Sequence, residues 1–166
     1  MYKTRALIFS VVMSAALIGC GGGGGGSGSS STQSFTGVAS AGAPITDATI
    51  TVLSSNGNYT VLSSPTGSDG SFSFSLDKTQ YPGPYLLKIT KSSGQSSGSY
   101  YAYASSDATS GLLVTPISNA TLSLAANADL SSLFESGAFT SLTSTSIGGA
   151  LDKIFAASTG VFSALS

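Results

Sequence analysis

A chain of 166 residues with six basic and seven acidic side chains and no histidine is close to neutral and poor in charge. The missing histidine excludes Ser-His-Asp and Cys-His nucleophilic catalysis and most zinc sites, and the lack of a basic cluster excludes a nucleic-acid surface. A single cysteine excludes a disulfide within the chain and leaves serine and threonine to carry the polar surface, a composition typical of secreted β-rich proteins.

The first element is an export signal. Lys3 and Arg5 make a positive start, and Ala6 to Ile18 is an apolar run. At about 13 residues the run suits a signal-peptide core and is shorter than the roughly 20 a membrane-spanning helix needs. Glycine and serine follow at once, so it cannot be extended. Leu17-Ile18-Gly19-Cys20 resembles the bacterial lipobox. The resemblance implies cleavage before Cys20, a diacylglycerol on its thiol and an acyl group on the new amino terminus. Gly19 supplies the small residue that cleavage requires. The next residue is Gly21 rather than aspartate, which by the same resemblance implies transfer to the outer membrane. The plainer alternative is an ordinary secretory signal cut near Ser14-Ala15-Ala16. Cleavage before Cys20 removes Lys3 and Arg5, leaving four basic against seven acidic side chains.

Residues 20–34 are low-complexity Gly/Ser with Thr32 and Gln33. They lack apolar periodicity and read as a disordered tether with a root-mean-square reach near 20 Å. The glycine run has neither a preceding strand nor a Gly-Lys-Ser/Thr ending, so it is not a phosphate-binding loop.

From Phe35 the pattern becomes short strands and turns. Phe35 to Ala39 reads as the first strand, Pro44 and Asp47 as turn chemistry, and Ala48 to Leu53 as the second strand. Asn56-Gly57 signals a type I′ hairpin returning through Tyr59 to Leu62. Ser71 to Leu76 alternates almost perfectly, with Phe72, Phe74 and Leu76 on one face and serines on the other. Tyr85 to Thr90 places Tyr85, Leu87 and Ile89 together, and Ser92 to Ser99 reads as a loop. Tyr100 to Tyr103 and Leu112 to Val114 close the set. Seven short strands at this spacing predict a mainly β fold, an antiparallel seven-stranded β-sandwich of prealbumin/Ig-like type.

Gly37-Val38-Ala39 with Gly42-Ala43-Pro44-Ile45-Thr46-Asp47-Ala48-Thr49-Ile50-Thr51-Val52 resembles the opening of carboxypeptidase regulatory-like domains, which are prealbumin-like sandwiches. Thr66-Gly67-Ser68-Asp69-Gly70-Ser71-Phe72 is similar to that family's Thr-Asp-x-x-Gly-x-Phe turn. Asp47 stands where the family often has glycine, and Gly67 where it has aspartate. The resemblance implies a sandwich with an accessory or binding role and no catalysis of its own.

Beyond Thr115-Pro116 the pattern changes again. Asn127 or Asp129 would cap a short helix carrying Leu130, Leu133 and Phe134. Ser144 or Ser146 would cap a second, with Ile147, Ala150, Leu151, Ile154 and Phe155 on one face and an end at Ser158-Thr159-Gly160. That face reads first as packing on the sandwich and second as a docking surface. The apolar ending Val161 to Leu165 resembles the start of a further segment. The organisation expected is a signal peptide at 1–19, lipidated Cys20 with its tether at 20–34, a sandwich at 35–125 and a short α-helical segment at 126–166.

Chemistry beyond Cys20 is sparse. Asp47, Asp69, Asp77, Asp107, Asp129, Glu135 and Asp152 are scattered, with no acid/base pair and no calcium loop around Asp69. No catalytic residue, cofactor or metal site is expected. Tyr100, Tyr101 and Tyr103 offer either strand packing or an aromatic platform for carbohydrate or peptide. Asn58-Tyr59-Thr60 and Asn119-Ala120-Thr121 match glycosylation sequons, which mean little in a bacterium. The expectation is a lipid-anchored envelope protein with a structural, adhesive or ligand-binding sandwich, meeting the membrane through Cys20, a protein or glycan in the envelope, and no nucleic acid. The alternatives are the N-terminal stalk of a larger surface protein and a hydrolase built on a Ser-Lys pair with Lys88 or Lys91.

Overall fold

The computed structural model describes residues 31–94 and 97–164, with side chains described as far as Ser158. The signal segment, Cys20 and most of the tether lie outside the described residues. Each of the seven expected strands is present: β1 (Thr32–Ala39), β2 (Thr49–Ser54), β3 (Tyr59–Val61), β4 (Ser71–Asp77), β5 (Tyr85–Lys91), β6 (Gly98–Ala104) and β7 (Leu112–Val114). They form two sheets, ordered β4-β1-β7 and β3-β2-β5-β6. Three α-helices follow, α1 (Pro116–Ala126), α2 (Leu130–Ser136) and α3 (Ser144–Ala164), with a 3-10 turn at Ala138–Ser141. The molecule is thus mainly β and sandwich-like, with a helical C-terminal part.

Period-two alternation builds the core between the sheets. β1 turns Phe35 and Ala39 inward, β4 turns Phe72 and Leu76, and β2 and β5 contribute Ile50, Val52, Tyr85, Leu87 and Ile89. Phe35 stacks on Phe74 at 4.9 Å and meets Tyr85 of the opposite sheet edge-on at 5.1 Å, so one aromatic cluster joins both layers. Gly37 lets β7 and β4 close around β1, because a Cβ there would run into the Phe72 ring and the Leu112 carbonyl.

Several expectations need correction. The sandwich is not wholly antiparallel: β7 pairs parallel with β1, matching Gly37 to Leu112 and Ala39 to Val114. The crossover from β6 delivers the chain to β7 running the same way as β1. The strand expected from Phe35 begins at Thr32, so the last three tether residues are strand, and Gln33 is buried. β6 begins at Gly98, inside the expected polar loop. The β2–β3 hairpin forms, but only Gly57 takes a positive φ, and its N–H closes on the Ser54 carbonyl at 2.9 Å. That is the pattern of a longer hairpin loop ending in a left-handed glycine rather than a type I′ pair. Asp47 also sits at positive φ, +53°, a conformation glycine adopts freely and aspartate tolerates. Buried Thr66 holds this turn, donating to the Ile45 carbonyl at 2.6 Å and accepting from Ala48 N–H at 3.0 Å.

The helical part begins earlier than expected. α1 starts at Pro116, with Thr115 and Ser118 in a reciprocal capping box and Pro116 in the first turn. Asp129 caps α2 as expected, whereas Asn127 ends α1 in the left-handed conformation. α3 is capped by Thr143, which exchanges hydrogen bonds with Ser146, rather than by Ser144 or Ser146. It continues past Gly160 to Ala164, so the helical part is longer than the short segment expected.

The helices cover the outer face of β5 and β6. Leu53, Leu86 and Tyr101 from that face pack with Leu122, Leu130, Leu133, Phe139 and Leu142 in a second core. Truncating a fully buried leucine in such a layer costs about 2–5 kcal/mol. Leu86→Ala should therefore lower stability by about that amount, measured by urea unfolding, and should loosen the helical layer more than the inter-sheet core. Hydrogen-exchange protection lost from α1 and α2 ahead of β1 would show this.

Candidate functional site

Strand alternation separates the tyrosines that a binding platform would need. Tyr101 pairs with Lys88 and Tyr103 with Leu86 on the outer face, while Tyr100 pairs with Ile89 and packs against the inter-sheet core. Tyr101 is buried beneath the helices, its ring tilted against Phe134 at 6.0 Å, and the Tyr103 hydroxyl donates to the Leu142 carbonyl at 3.4 Å. The three rings therefore form no shared exposed platform, and packing accounts for them. Burial raises the hydroxyl pKa of Tyr85, Tyr101 and Tyr103 above its ordinary value, with Asp129 and then Glu135 adding to the rise at Tyr101.

Asn119 and Ser118 have a structural task. The Asn119 side-chain oxygen accepts from Tyr101 N–H at 2.5 Å and its amide donates to the Ser99 carbonyl at 3.4 Å. Ser118 Oγ donates to the Tyr101 carbonyl at 2.6 Å. Two side chains of α1 thus take the place of a further strand along the edge of β6. Asn58 is likewise engaged, donating to the Gln80 carbonyl at 3.0 Å.

The remaining predicted groups stay apart. Lys91 Nζ donates to Thr46 O at 2.6 Å and Thr46 Oγ1 at 3.0 Å, holding the β1–β2 connection. No serine hydroxyl is bonded to Lys88 or Lys91, so neither forms a Ser-Lys pair among the described residues. No group of three or more acidic or cysteine side chains suited to a metal lies among the described residues. Asp69, Asp77 and Asp129 are each used locally. Ser71 hydrogen bonds hold the Asp69 carboxyl below its ordinary pKa; Ser31 and then Thr79 do so for Asp77, and Ser131 and Ser132 for Asp129. Cys20 lies outside the described residues.

What the sequence did not reveal is a groove on the outer face of the four-stranded sheet. The helical layer reaches Leu53 of β2 but leaves β3 uncovered, and an open trough of about 530 Å³ lies between Tyr59 and Val61 on one side and Phe134 and Glu135 on the other. Leu53 and Lys88 also line it. The register places Leu53 opposite Tyr59 and Thr51 opposite Val61, so these side chains share one face. Tyr59 and Val61 are 69% and 57% exposed and stand next to each other on one face of the edge strand. Lys88 Nζ lies over the Phe134 ring at 5.4 Å and the Tyr101 ring at 6.0 Å. A smaller apolar cleft of about 220 Å³ lies between α1, α3 and β7, lined by Tyr103, Leu113, Ile117, Ile147 and Leu151. The expected apolar face of α3 therefore packs in part: Ala150 is buried and Ile147 joins the second core, whereas Phe155 is largely exposed.

Comparison with protein-family models and with curated proteins finds no match for the chain.

Two predictions follow from these contacts. Asn119→Ala leaves the Tyr101 N–H without its acceptor, which should cost about 1–3 kcal/mol in urea unfolding. The sequon variant Thr121→Val should not reproduce the loss of the β6 edge bond, read as amide exchange at Tyr101. Separately, the three depressed carboxylates bind protons more tightly in the unfolded chain. Their stabilisation is present above about pH 4 and is lost as pH falls through the depressed values. Thermal unfolding should be flat from about pH 8 to 5 and decline below about pH 4, and Asp77→Asn should make that decline shallower.

Proposed function

We propose that the chain is a lipid-anchored lipoprotein of the bacterial envelope, held in the outer membrane by acyl groups on Cys20. Its sandwich, of the prealbumin/Ig-like type, acts as a non-catalytic binding, adhesive or structural module. The observation that carries this reading is Leu17-Ile18-Gly19-Cys20 directly after a positive start and a short apolar run. Two features support it. The first described strand begins at Thr32, so residues 21–31 separate the lipid site from the sandwich, a span of at most about 40 Å. The chain enters at a pole knitted by hydrogen bonds: Ser31 Oγ donates to the Asp77 carboxylate at 2.5 Å and shares a hydrogen bond with Thr79 Oγ1 at 2.7 Å, while Asn56 and Asn58 donate to Gln80 O.

The non-catalytic reading is supported by what the candidate groups already do. Lys91 holds Thr46, and Asp69, Asp77 and Asp129 close turns and cap α2. The partners proposed are the membrane, through the lipid, and a protein or glycan of the envelope. Metabolic labelling with palmitate and membrane fractionation test the anchor. The wild-type chain should take up label and sediment with membranes, and Cys20→Ala should do neither. Label on the variant, or its retention in the membrane fraction, would overturn the proposal.

A further inference from the structure

The trough on the four-stranded sheet combines features that a bare sheet face does not need. Its floor and walls are apolar and aromatic: Leu53, Val61, Tyr59 and Phe134. Its one cation, Lys88, projects from the central strand β5 and is only partly exposed. A lysine ammonium has three donors to satisfy. Lys91, three residues along the same strand, has two oxygen acceptors. Lys88 has none among the described residues, and its ammonium is held over the faces of Phe134 and Tyr101. A partly buried ammonium resting on rings retains its capacity for a charge-assisted hydrogen bond to an incoming anion.

We propose that this trough binds a small carboxylic acid with a ring-sized apolar body. The carboxylate meets Lys88, and the body lies along Leu53, Val61, Tyr59 and Phe134. A volume of about 530 Å³ falls within the range of small-molecule sites, and a few polar groups set in an apolar lining is the usual composition of such sites. Glu135 on the rim opposes a second negative charge, which selects a monoanion over a phosphate ester or a dicarboxylate. A nucleic acid or anionic lipid surface would require a basic cluster, and Lys88 is the only cation lining the trough. This deepens the binding role proposed above and is independent of the lipid on Cys20, because every residue it uses lies in the folded part.

The probe is 4-phenylbutyrate, compared with the uncharged 4-phenylbutan-1-ol and with ringless butyrate, titrated into the full chain in lipid nanodiscs. Empty nanodiscs give the partitioning background. Backbone amide shifts at Tyr59, Lys88 and Phe134 should move together and saturate for phenylbutyrate, with weaker binding of the alcohol and of butyrate. Lys88→Met keeps the apolar stem and removes the charge. It should weaken phenylbutyrate by about tenfold, equivalent to about 1.4 kcal/mol, and leave the alcohol unchanged. Val61→Ser, at an exposed edge position, should weaken both acid and alcohol. Equal affinity for acid and alcohol, unchanged binding by Lys88→Met, shifts confined to the Leu113–Ile117 cleft, or no saturation would each overturn the proposal. Label on Cys20→Ala, or its retention in the membrane fraction, would overturn the anchor and has no bearing on these outcomes.

Discussion

Strand β5 has no solvent-facing side along Tyr85-Leu86-Leu87, where each residue is at most 1% exposed. Tyr85 and Leu87 point between the sheets and Leu86 points the other way. A strand of this kind cannot belong to a two-layer sandwich with one wet face per sheet, because its outer leucine would sit in water. It demands a third layer, and the helices supply it. The two cores are thus stacked on either side of the same strand, one sealed by β1 and β4, the other by α1, α2 and the 3-10 turn. Leu86 alone contributes about 1.5–3 kcal/mol by burial, and that contribution exists only while the helices are docked.

A third layer on one sheet leaves the question of the strand edges, and β6, β4 and β3 each answer it differently. β6 is closed by Asn119 and Ser118, whose side chains occupy the Tyr101 N–H and C=O. β4 is closed at its two ends by turns that fold back on it. Gly67 N–H meets Ser71 O at 2.8 Å, and Gln80 and Tyr81 N–H both meet Asp77 O. β3 is limited by being only three residues long. A protein with so few charges cannot use lysines to repel edge pairing, and here hydrogen-bonding side chains and tight turns serve that purpose instead.

Much of this was legible in the residues. Ser71 to Leu76 alternates with period two and is a strand with the predicted inward face, because burial on one side only leaves a clean record in sequence. Asp129 is a cap because aspartate before an apolar run has few other uses. α1 was missed for an identifiable reason. Its capping box uses serine at the third position instead of Glu or Gln, and its large apolar residues are few, with Ile117 and Leu124 left exposed and Leu122 the one leucine it buries. The apolar triplet Tyr85-Leu86-Leu87 carried the signal for two-sided burial, but a three-residue run is easily absorbed into an alternating strand. The parallel β1–β7 pair left no local trace, since strand direction depends on the crossover and not on the composition of a three-residue strand. The trough was also illegible: Tyr59 and Lys88 lie 29 positions apart in number and Phe134 farther still, and only the register and the placement of α2 bring them to one face.

The trough is a consequence of how the third layer is built. α2 has seven residues, and it is held by the Asp129 cap and by Leu130 and Leu133. A helix of that length spans roughly 10 Å, too short to cover a four-stranded sheet, and while Leu53 of β2 is packed into the second core, Tyr59 and Val61 of β3 remain exposed. The boundary of its shadow falls along Lys88, whose position on the central strand would otherwise be fully covered and would oblige the ammonium to lose its water without compensation. Instead the ammonium lies 5.4 Å over the Phe134 ring and the side chain stays partly exposed in the trough, an arrangement long cationic side chains favour at an apolar border. The same geometric shortfall that exposes Tyr59 and Val61 makes a lysine on β5 tolerable. The cation and the apolar walls therefore occur together as one result of a short helix lying on a wider sheet.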